Sequence, residues 1–290
     1  MENKSNSNFK TNSEASFIVG KLIDTVRINA VSQTQKAGKI VWVKQRRPLM
    51  DGIIALGNIF LRLSQSRIIM FPNCREWWEW ELHCFRLLYG DEIAADSFGQ
   101  RGFWVETIPG KSLLSRLSDS QYTSLNTSLS EEMFRAAGLE FRRVHSLWCD
   151  RLWCKDTQHK RSQPQGCYHT QNFWSHGDPH LANVLYDEST NRAYLIDFET
   201  KHEPGLTATE RHADDLLVFI LDTLGRLQES EAILFSKAFL LSYGNKEVLQ
   251  SLKQRLTVPQ GWERVLWVTR TNYLPKLELK YRLESLKKLF

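Results

Sequence analysis

The sequence predicts an α+β fold, with strands concentrated before residue 109 and helices dominating after it. Three observations predict it. The run Ile40-Val41-Trp42-Val43 is rich in β-branched and aromatic side chains and follows the turn residue Gly38. A strand–turn–strand pattern covers Asn183 to Asp197. Its apolar runs, Val184-Leu185-Tyr186 and Ala193 to Ile196, are separated by turn chemistry from Asp187 to Asn191. Apolar side chains recur at helical spacing over residues 75–89, residues 131–148 and the stretch opening at Asp214-Asp215.

Length and composition bound the answer. A chain of 290 residues suits one large or two modest domains. Its apolar and charged fractions are those of a globular protein. No apolar run approaches the roughly 20 residues of a membrane-spanning helix. The opening MENKSNSNFKTNSEAS has no apolar core of a secretory signal, and residues 1–16 read as a disordered tail. The cysteines are Cys74, Cys84, Cys149, Cys154 and Cys167. An odd count with no signal sequence predicts reduced thiols and a cytoplasmic location. The net charge of +5 is mild, but Lys36, Lys39, Lys44, Arg46 and Arg47 crowd together. Such a cluster suits a solvated edge with one functional lysine, or attraction to phosphates, an anionic membrane or nucleic acid, and charge alone does not separate these.

Taken in order, residues 17–47 read as strands ending near Lys44. GNIFLRLSQSRIIMFP, residues 57–72, reads as a second strand pair. REWWEWELHCFRLLY, residues 75–89, reads as an amphipathic helix with Trp78, Glu81, Leu82 and Phe85 at helical spacing. Phe103 to Glu106 form a short strand. Ile108-Pro109-Gly110 then turns the chain into a helix at Ser112-Leu113-Leu114. The helix over 131–148 carries apolar Phe134, Leu139, Phe141 and Val144. Cys149, Cys154, His159, Cys167 and His169 are zinc-ligand types, but no C-x-x-C pair is present. With Trp148, Leu152 and Trp153 among them, the stretch reads as a packed insertion with buried thiols. The C-terminal helices, to LESLKKLF, have basic amphipathic faces.

The chemistry is densest between His176 and Glu199. Asn183 begins the hairpin and Asp197 ends it, so the two side chains converge. An amide oxygen and a carboxylate are hard ligands suited to a magnesium ion that also touches phosphates. Asp178, just upstream in a loop, is placed to accept the proton of an attacking hydroxyl.

HGDPHLANVLYD followed by LIDFE resembles the catalytic segment of the protein-kinase-like superfamily. The resemblance is to the aminoglycoside phosphotransferase and choline kinase branch, which favours HGD-x-H-x-x-N and IDFE. The lipopolysaccharide core-sugar kinases are a related branch. The resemblance implies a two-lobed protein-kinase-like fold: a small β-rich N-lobe over residues 17–109 and a larger, mainly helical C-lobe over 110–290. It implies ATP and Mg2+ as cofactors, Asp178 as the catalytic base, and Asn183 and Asp197 as metal ligands. VWVK resembles the kinase VAIK strand, which implies that Lys44 holds the α- and β-phosphates. Glu81 is implied as its orienting partner, with Glu79 as rival. Backbone groups around Glu106 to Ile108 are implied to face the adenine. His176, His180 and Asp215, with Asp214 as rival, are implied to support the catalytic loop, and His145 to be a packed structural residue. No G-x-G-x-x-G loop precedes Lys44, where Gly20 stands alone; the small-molecule branch often lacks that loop. The interval from Asp197 to Asp215 is too short for an activation loop and a peptide platform.

The expected function is therefore transfer of the γ-phosphoryl group of ATP to a hydroxyl of a small molecule or sugar, without nucleic-acid partners. The alternatives are a lipopolysaccharide or lipid-linked sugar kinase peripheral to the inner face of the membrane, a pseudokinase binding module, and an atypical protein kinase. The identity of the acceptor is not legible.

Overall fold

The computed structural model describes residues 28–119, 127–149 and 173–290. The expected tail over 1–16, the expected strand segment up to residue 27, and Cys154, His159, Cys167 and His169 lie outside the described residues.

The fold is two-lobed α+β, with a β-rich N-terminal lobe and a helical C-terminal lobe. Strands β1 (Asn29–Lys36) and β2 (Lys39–Arg46) form a hairpin closed by Ala37-Gly38. Both turn residues have positive φ, as a two-residue loop matched to strand twist requires. Strands β4 (Ala95–Ser97) and β5 (Gly102–Glu106) extend this sheet in the order β1-β2-β5-β4. Directly paired residues share a sheet face. The pairs Lys44 with Phe103 and Val31, and Trp42 with Val105, therefore put Lys44, Trp42, Ile40 and Val31 on one side.

Against that side packs a helix, α2 (Cys74–Tyr89), entered through Asn73, whose side chain accepts from the amides of Arg75 and Glu76. Trp77, Glu81, Cys84, Phe85 and Leu88 form its buried stripe. Trp77 and Phe85 meet Phe103 at ring separations of 5.9 and 6.0 Å. The far end of α2 is clamped to the other lobe. Tyr89 Oη donates to the Leu195 carbonyl at 2.8 Å and accepts from the Leu195 amide at 2.7 Å. Arg143 donates to the Leu88 carbonyl at 3.0 Å.

Residues 57–72 do not form the expected strand pair. Met50–Leu63 is a helix, α1, and only Ile68–Met70 is extended, as β3. Ile54 and Leu61 recur at helical spacing on the inward face beside Asn58. The Asn58 amide both donates to the Met70 carbonyl and accepts from the Met70 amide, at 2.8 Å each. Gly52 and Gly57 sit where no atom approaches their Cβ positions, and the helix runs through them. Strand β3 pairs with β9 (Thr200–His202), a strand from beyond Asp197.

The C-terminal lobe opens with β6 (Lys111–Ser112) and α3 (Leu113–Ser118), capped by the Ser112 hydroxyl. Helix α4 (Thr127–Val144) leads to a 3-10 turn (Leu181–Asn183) and the hairpin β7 (Val184–Asp187) and β8 (Arg192–Leu195). Asp187 organises the hairpin turn by accepting from Ser189 and Thr190. Helix α5 (Ala208–Arg226) starts from a reciprocal Thr207–Glu210 capping box. It is followed by α6 (Glu229–Tyr243), α7 (Lys246–Arg255), α8 (Glu263–Arg270) and α9 (Lys276–Lys287). Phe134, Phe141, Phe219 and Phe239 join α4, α5 and α6 at ring separations down to 4.3 Å. Helix α4 ends at Val144, short of the expected 148. Leu139 faces solvent, because it lies two residues from Phe141 and so on the opposite side of the helix.

Gly225 lets α5 approach the turn after α8. A Cβ there would stand 2.1 Å from the Thr271 carbonyl oxygen. Gly225→Ala is expected to destabilise the protein by about 1–3 kcal/mol, the usual cost of overpacking. Chemical denaturation checks this, and an unchanged midpoint would show that the two segments separate freely.

Candidate active site

Lys44, near the end of β2, places its ammonium among three carboxylates. Its Nζ lies 2.7 Å from Glu81 Oε1 and 2.7 Å from Glu199 Oε1, and it donates to Asp197 Oδ1. Glu81 comes from α2, and Asp197 and Glu199 from the link between β8 and β9. Glu81 is itself fixed. Trp77 Nε1 donates to its Oε1 at 2.8 Å and the Phe198 amide to its Oε2 at 3.2 Å. Asn29 of β1 donates to Glu199. Asp197 adopts a left-handed backbone, φ 68°, a region that Asp enters more readily than most residues.

The electrostatics follow from this packing. Burial opposes the Lys44 charge, but attraction to Asp197, Glu199 and Glu81 outweighs it and holds its pKa well above the ordinary value. Burial likewise opposes the Asp197 charge, and Lys44 keeps that carboxyl below its usual range. Glu199 is pushed up to about 7 by burial and by the neighbouring Asp197 charge. Carboxylate oxygens of Glu81, Asp197 and Glu199 lie within 4.8 Å of one another. A hard-oxygen cluster with one cation among three acids fits a magnesium ion. A cavity of about 420 Å3 adjoins it, lined in part by Asn29, Val31, Lys44, Arg47, Asp197 and Glu199.

The loop carrying Asp178 is held from beneath by α5. Asp215 accepts from the His176 amide at 2.8 Å and the Gly177 amide at 2.7 Å. His145 Nε2 donates to it at 3.1 Å, and His145 Nδ1 accepts from Tyr243. Burial would raise the Asp215 pKa, but the surrounding imidazoles, led by His202, hold it well below the carboxylate range. Burial keeps His176 neutral. Its Nε2 donates to the Ile196 carbonyl at 2.9 Å while its Nδ1 accepts the Asp178 amide at 3.3 Å. Gly177 has φ 93°, and a Cβ there would meet Thr200 Oγ1 at 2.6 Å.

Asp178 is half-buried, and its carboxylate makes no hydrogen bond to any described residue. Asn183 Nδ2 donates to the Asp178 carbonyl at 3.1 Å, which leaves Oδ1 as the atom Asn183 offers to a cation. The Ile196 amide donates to the Asn183 carbonyl at 3.0 Å, so the two ends of the hairpin meet. His180 shapes the turn through its backbone, its amide donating to the Asp178 carbonyl and its carbonyl accepting from the Asn183 amide.

Of the rival pairs, Glu81 lies on Lys44, whereas Glu79 pairs with Arg75 on the outside of α2. Asp215 holds the loop, whereas Asp214 faces Arg255 and His202. The Glu106 and Thr107 amides are engaged by the Ala94 and Ile40 carbonyls, and the Glu106 carboxylate pairs with Lys39. The buried Ile108 follows, its amide without a hydrogen-bond partner among the described residues.

Two participants had no role in the sequence reading. Glu199 sits two residues past Asp197, at the end of the LIDFE segment. Asp222 accepts from the Leu181 amide at 2.9 Å and is braced by Arg226 at 2.6 Å. Its signal was present, since Asp222 lies seven residues after Asp215, on the same helical face.

No protein-family model and no curated protein matches the chain. Among solved structures it is similar to an ethanolamine kinase from Plasmodium vivax, at 8% identity, 93% coverage of this chain and 84% of that one, with TM-score 0.45. It is also similar to a spectinomycin phosphotransferase in complex with ADP and spectinomycin, at 14% identity, 91% and 89% coverage, with TM-score 0.38. At these values neither likeness bears on activity or substrate.

Glu199 yields a pH prediction for the metal-free protein. Its folded pKa, about 7, lies above its unfolded value near 4.5. Its contribution to stability is therefore fully present below 4.5 and is lost as pH rises through about 7. Thermal denaturation across this window should show the wild type losing stability relative to Glu199→Gln as pH rises. Parallel curves would place Glu199 outside the coupled cluster.

Proposed function

We propose that this chain is a cytoplasmic phosphotransferase that uses ATP and magnesium to phosphorylate a hydroxyl of a small molecule or sugar. The observation that carries the reading is the convergence of Lys44, Glu81 and Asp197, drawn from distant parts of the sequence, next to a loop that presents an Asp178 carboxylate with no hydrogen-bond partner among the described residues.

Asp197 and the Asn183 Oδ1 would hold the metal, with Glu199 beside them. Magnesium held there would supply Lewis-acid neutralisation of the charge that develops on the transferred phosphoryl group. Lys44 pairs with the α- and β-phosphates, and Glu81, pinned by Trp77 and Phe198, keeps it directed into the cleft. Val31, Ile40 and Trp42 are exposed on the same sheet face as Lys44 and offer an apolar wall to the base. The Ile108 amide, without a partner among the described residues, offers it a donor. Asp178 orients the acceptor hydroxyl and takes its proton. The His176 ring accepts the Asp178 amide, and the Asp215 carboxylate accepts the amides of His176 and Gly177 just before it, so the base enters the reaction already positioned.

The short path from Phe198 to Asp214 supports a small acceptor over a protein. It consists of β9, a turn and the first residues of α5. Such a segment offers no extended surface on which a peptide can lie.

A magnesium-ATP turnover screen against hydroxylated metabolites, sugars and lipid-sugar headgroups tests the reading. Once an acceptor is found, Asp178→Asn should lower turnover by on the order of 10²–10⁴-fold, the usual effect of a lost general base. Nucleotide affinity should stay near normal. Near-normal kcat in that variant would remove Asp178 from the reaction. Asp197→Ala should abolish both turnover and thermal stabilisation by magnesium-ATP. Unchanged stabilisation would show that Asp197 does not hold the metal.

A further inference from the structure

Helix α1 is apolar on both sides. Its inward residues Ile54, Asn58 and Leu61 seat it on the N-terminal lobe. Its outward arc carries Ile53, Leu56, Ile59 and Leu63, with Leu56, Ile59 and Leu63 exposed by 69, 57 and 58%. At about 100° per residue these four side chains span roughly 120° of the helix, and no charged residue falls between them. Leu49, at the N-terminal end, is 88% exposed. The stripe gives the helix a second apolar face, beside the one that packs on the lobe.

Charge selects the partner. From Asn29 to Met70 the exposed basic residues are Lys36, Lys39, Arg47, Arg62 and Arg67, of which Lys39 pairs with Glu106 and Arg67 with Glu210, and the one acidic residue is Asp51. Asp51 is held by Arg46. Arg47 and Arg62, at opposite ends of the stripe, are exposed. Apolar side chains flanked by arginines are the pattern of a helix lying in the headgroup region of an anionic bilayer. A second copy of the chain suits the stripe less well. A helix of 14 residues is about 21 Å long, and an outer strip about 10 Å wide covers roughly 200 Å2. That is far below the roughly 800 Å2 per partner of a stable protein interface. The surrounding basic charge would also oppose self-association.

We infer that α1 is an interfacial helix that docks this protein onto an anionic lipid surface. The helix is joined to the candidate site: Asn58 holds β3, β3 pairs with β9, and β9 begins three residues after Asp197. The inference rests on the helix and its charges and is independent of the phosphotransfer reading.

The test is co-sedimentation of the full chain with phosphatidylcholine vesicles, with and without phosphatidylglycerol. The wild type should partition onto phosphatidylglycerol vesicles and be released by salt. Leu56→Ser combined with Ile59→Ser should weaken partitioning roughly tenfold or more, because burial of two large apolar side chains is lost. Arg62→Glu should weaken it at low salt. These residues point away from the core, and an unchanged unfolding temperature confirms that the variants fold. Failure of the wild type to bind anionic vesicles, or equal binding by the double variant, overturns the inference. So does a concentration-dependent dimer that the double variant abolishes in the absence of vesicle binding.

Discussion

The charge cluster around Lys44 is the constraint on which the arrangement of the site depends. An ammonium buried alone would be costly, and so would any of the three carboxylates near it. Together they hold β1, β2, α2 and the segment from Asp197 to Glu199 in one geometry. The cluster is also unbalanced, because three acids surround one base. Burial and that excess together push the Glu199 carboxyl towards neutrality. A divalent cation would relieve it, so the property that makes the metal-free site electrostatically strained also prepares it for a metal.

The loop bearing Asp178 is controlled differently, by backbone hydrogen bonds to buried acids. Asp215 and Asp222 project from one face of α5 and capture amides at His176, Gly177 and Leu181. Hydrogen bonds to ionised acceptors are stronger than neutral ones, and three of them fix a segment with little regular structure. The neutral His176 adds a bridge from this loop to the Ile196 carbonyl. Its burial ensures that it acts as a strut with one donor and one acceptor and not as a second charge beside Asp178.

The legible parts of the chain were those whose signals are local. The β7–β8 hairpin announced itself through turn residues between two apolar runs. The sequence also placed Lys44 on a strand and a buried stripe on α2, since each needs only a few neighbouring residues to be recognised. The choice between Glu81 and Glu79 was open because both lie on the same turn of helix, and the partner that distinguishes them is 37 residues away. Helix α1 was misread for a physical reason. Its apolar arc covers both the inner and the outer face, so that Asp51, Asn58 and Arg62 alone mark the polar side, and its isoleucines suit a strand as well. The packing of the C-terminal helices left no local signal, because it depends on contacts between distant parts of the chain.

The clamp between Tyr89 and Leu195 has a consequence for regulation. A helix that carries the partner of a phosphate-binding lysine can act as a throttle if its far end is free to swing. Here that end is tied by two hydrogen bonds through one phenolic oxygen, by Arg143 at the Leu88 carbonyl, and by the contact of Phe85 with Phe198 at 5.1 Å. Displacing α2 would orphan the buried amide and carbonyl of Leu195 together. The helix is therefore a fixed bracket and not a movable lever. The assembly of the lysine–glutamate pair is settled when the chain folds, and not by an on–off movement of this element.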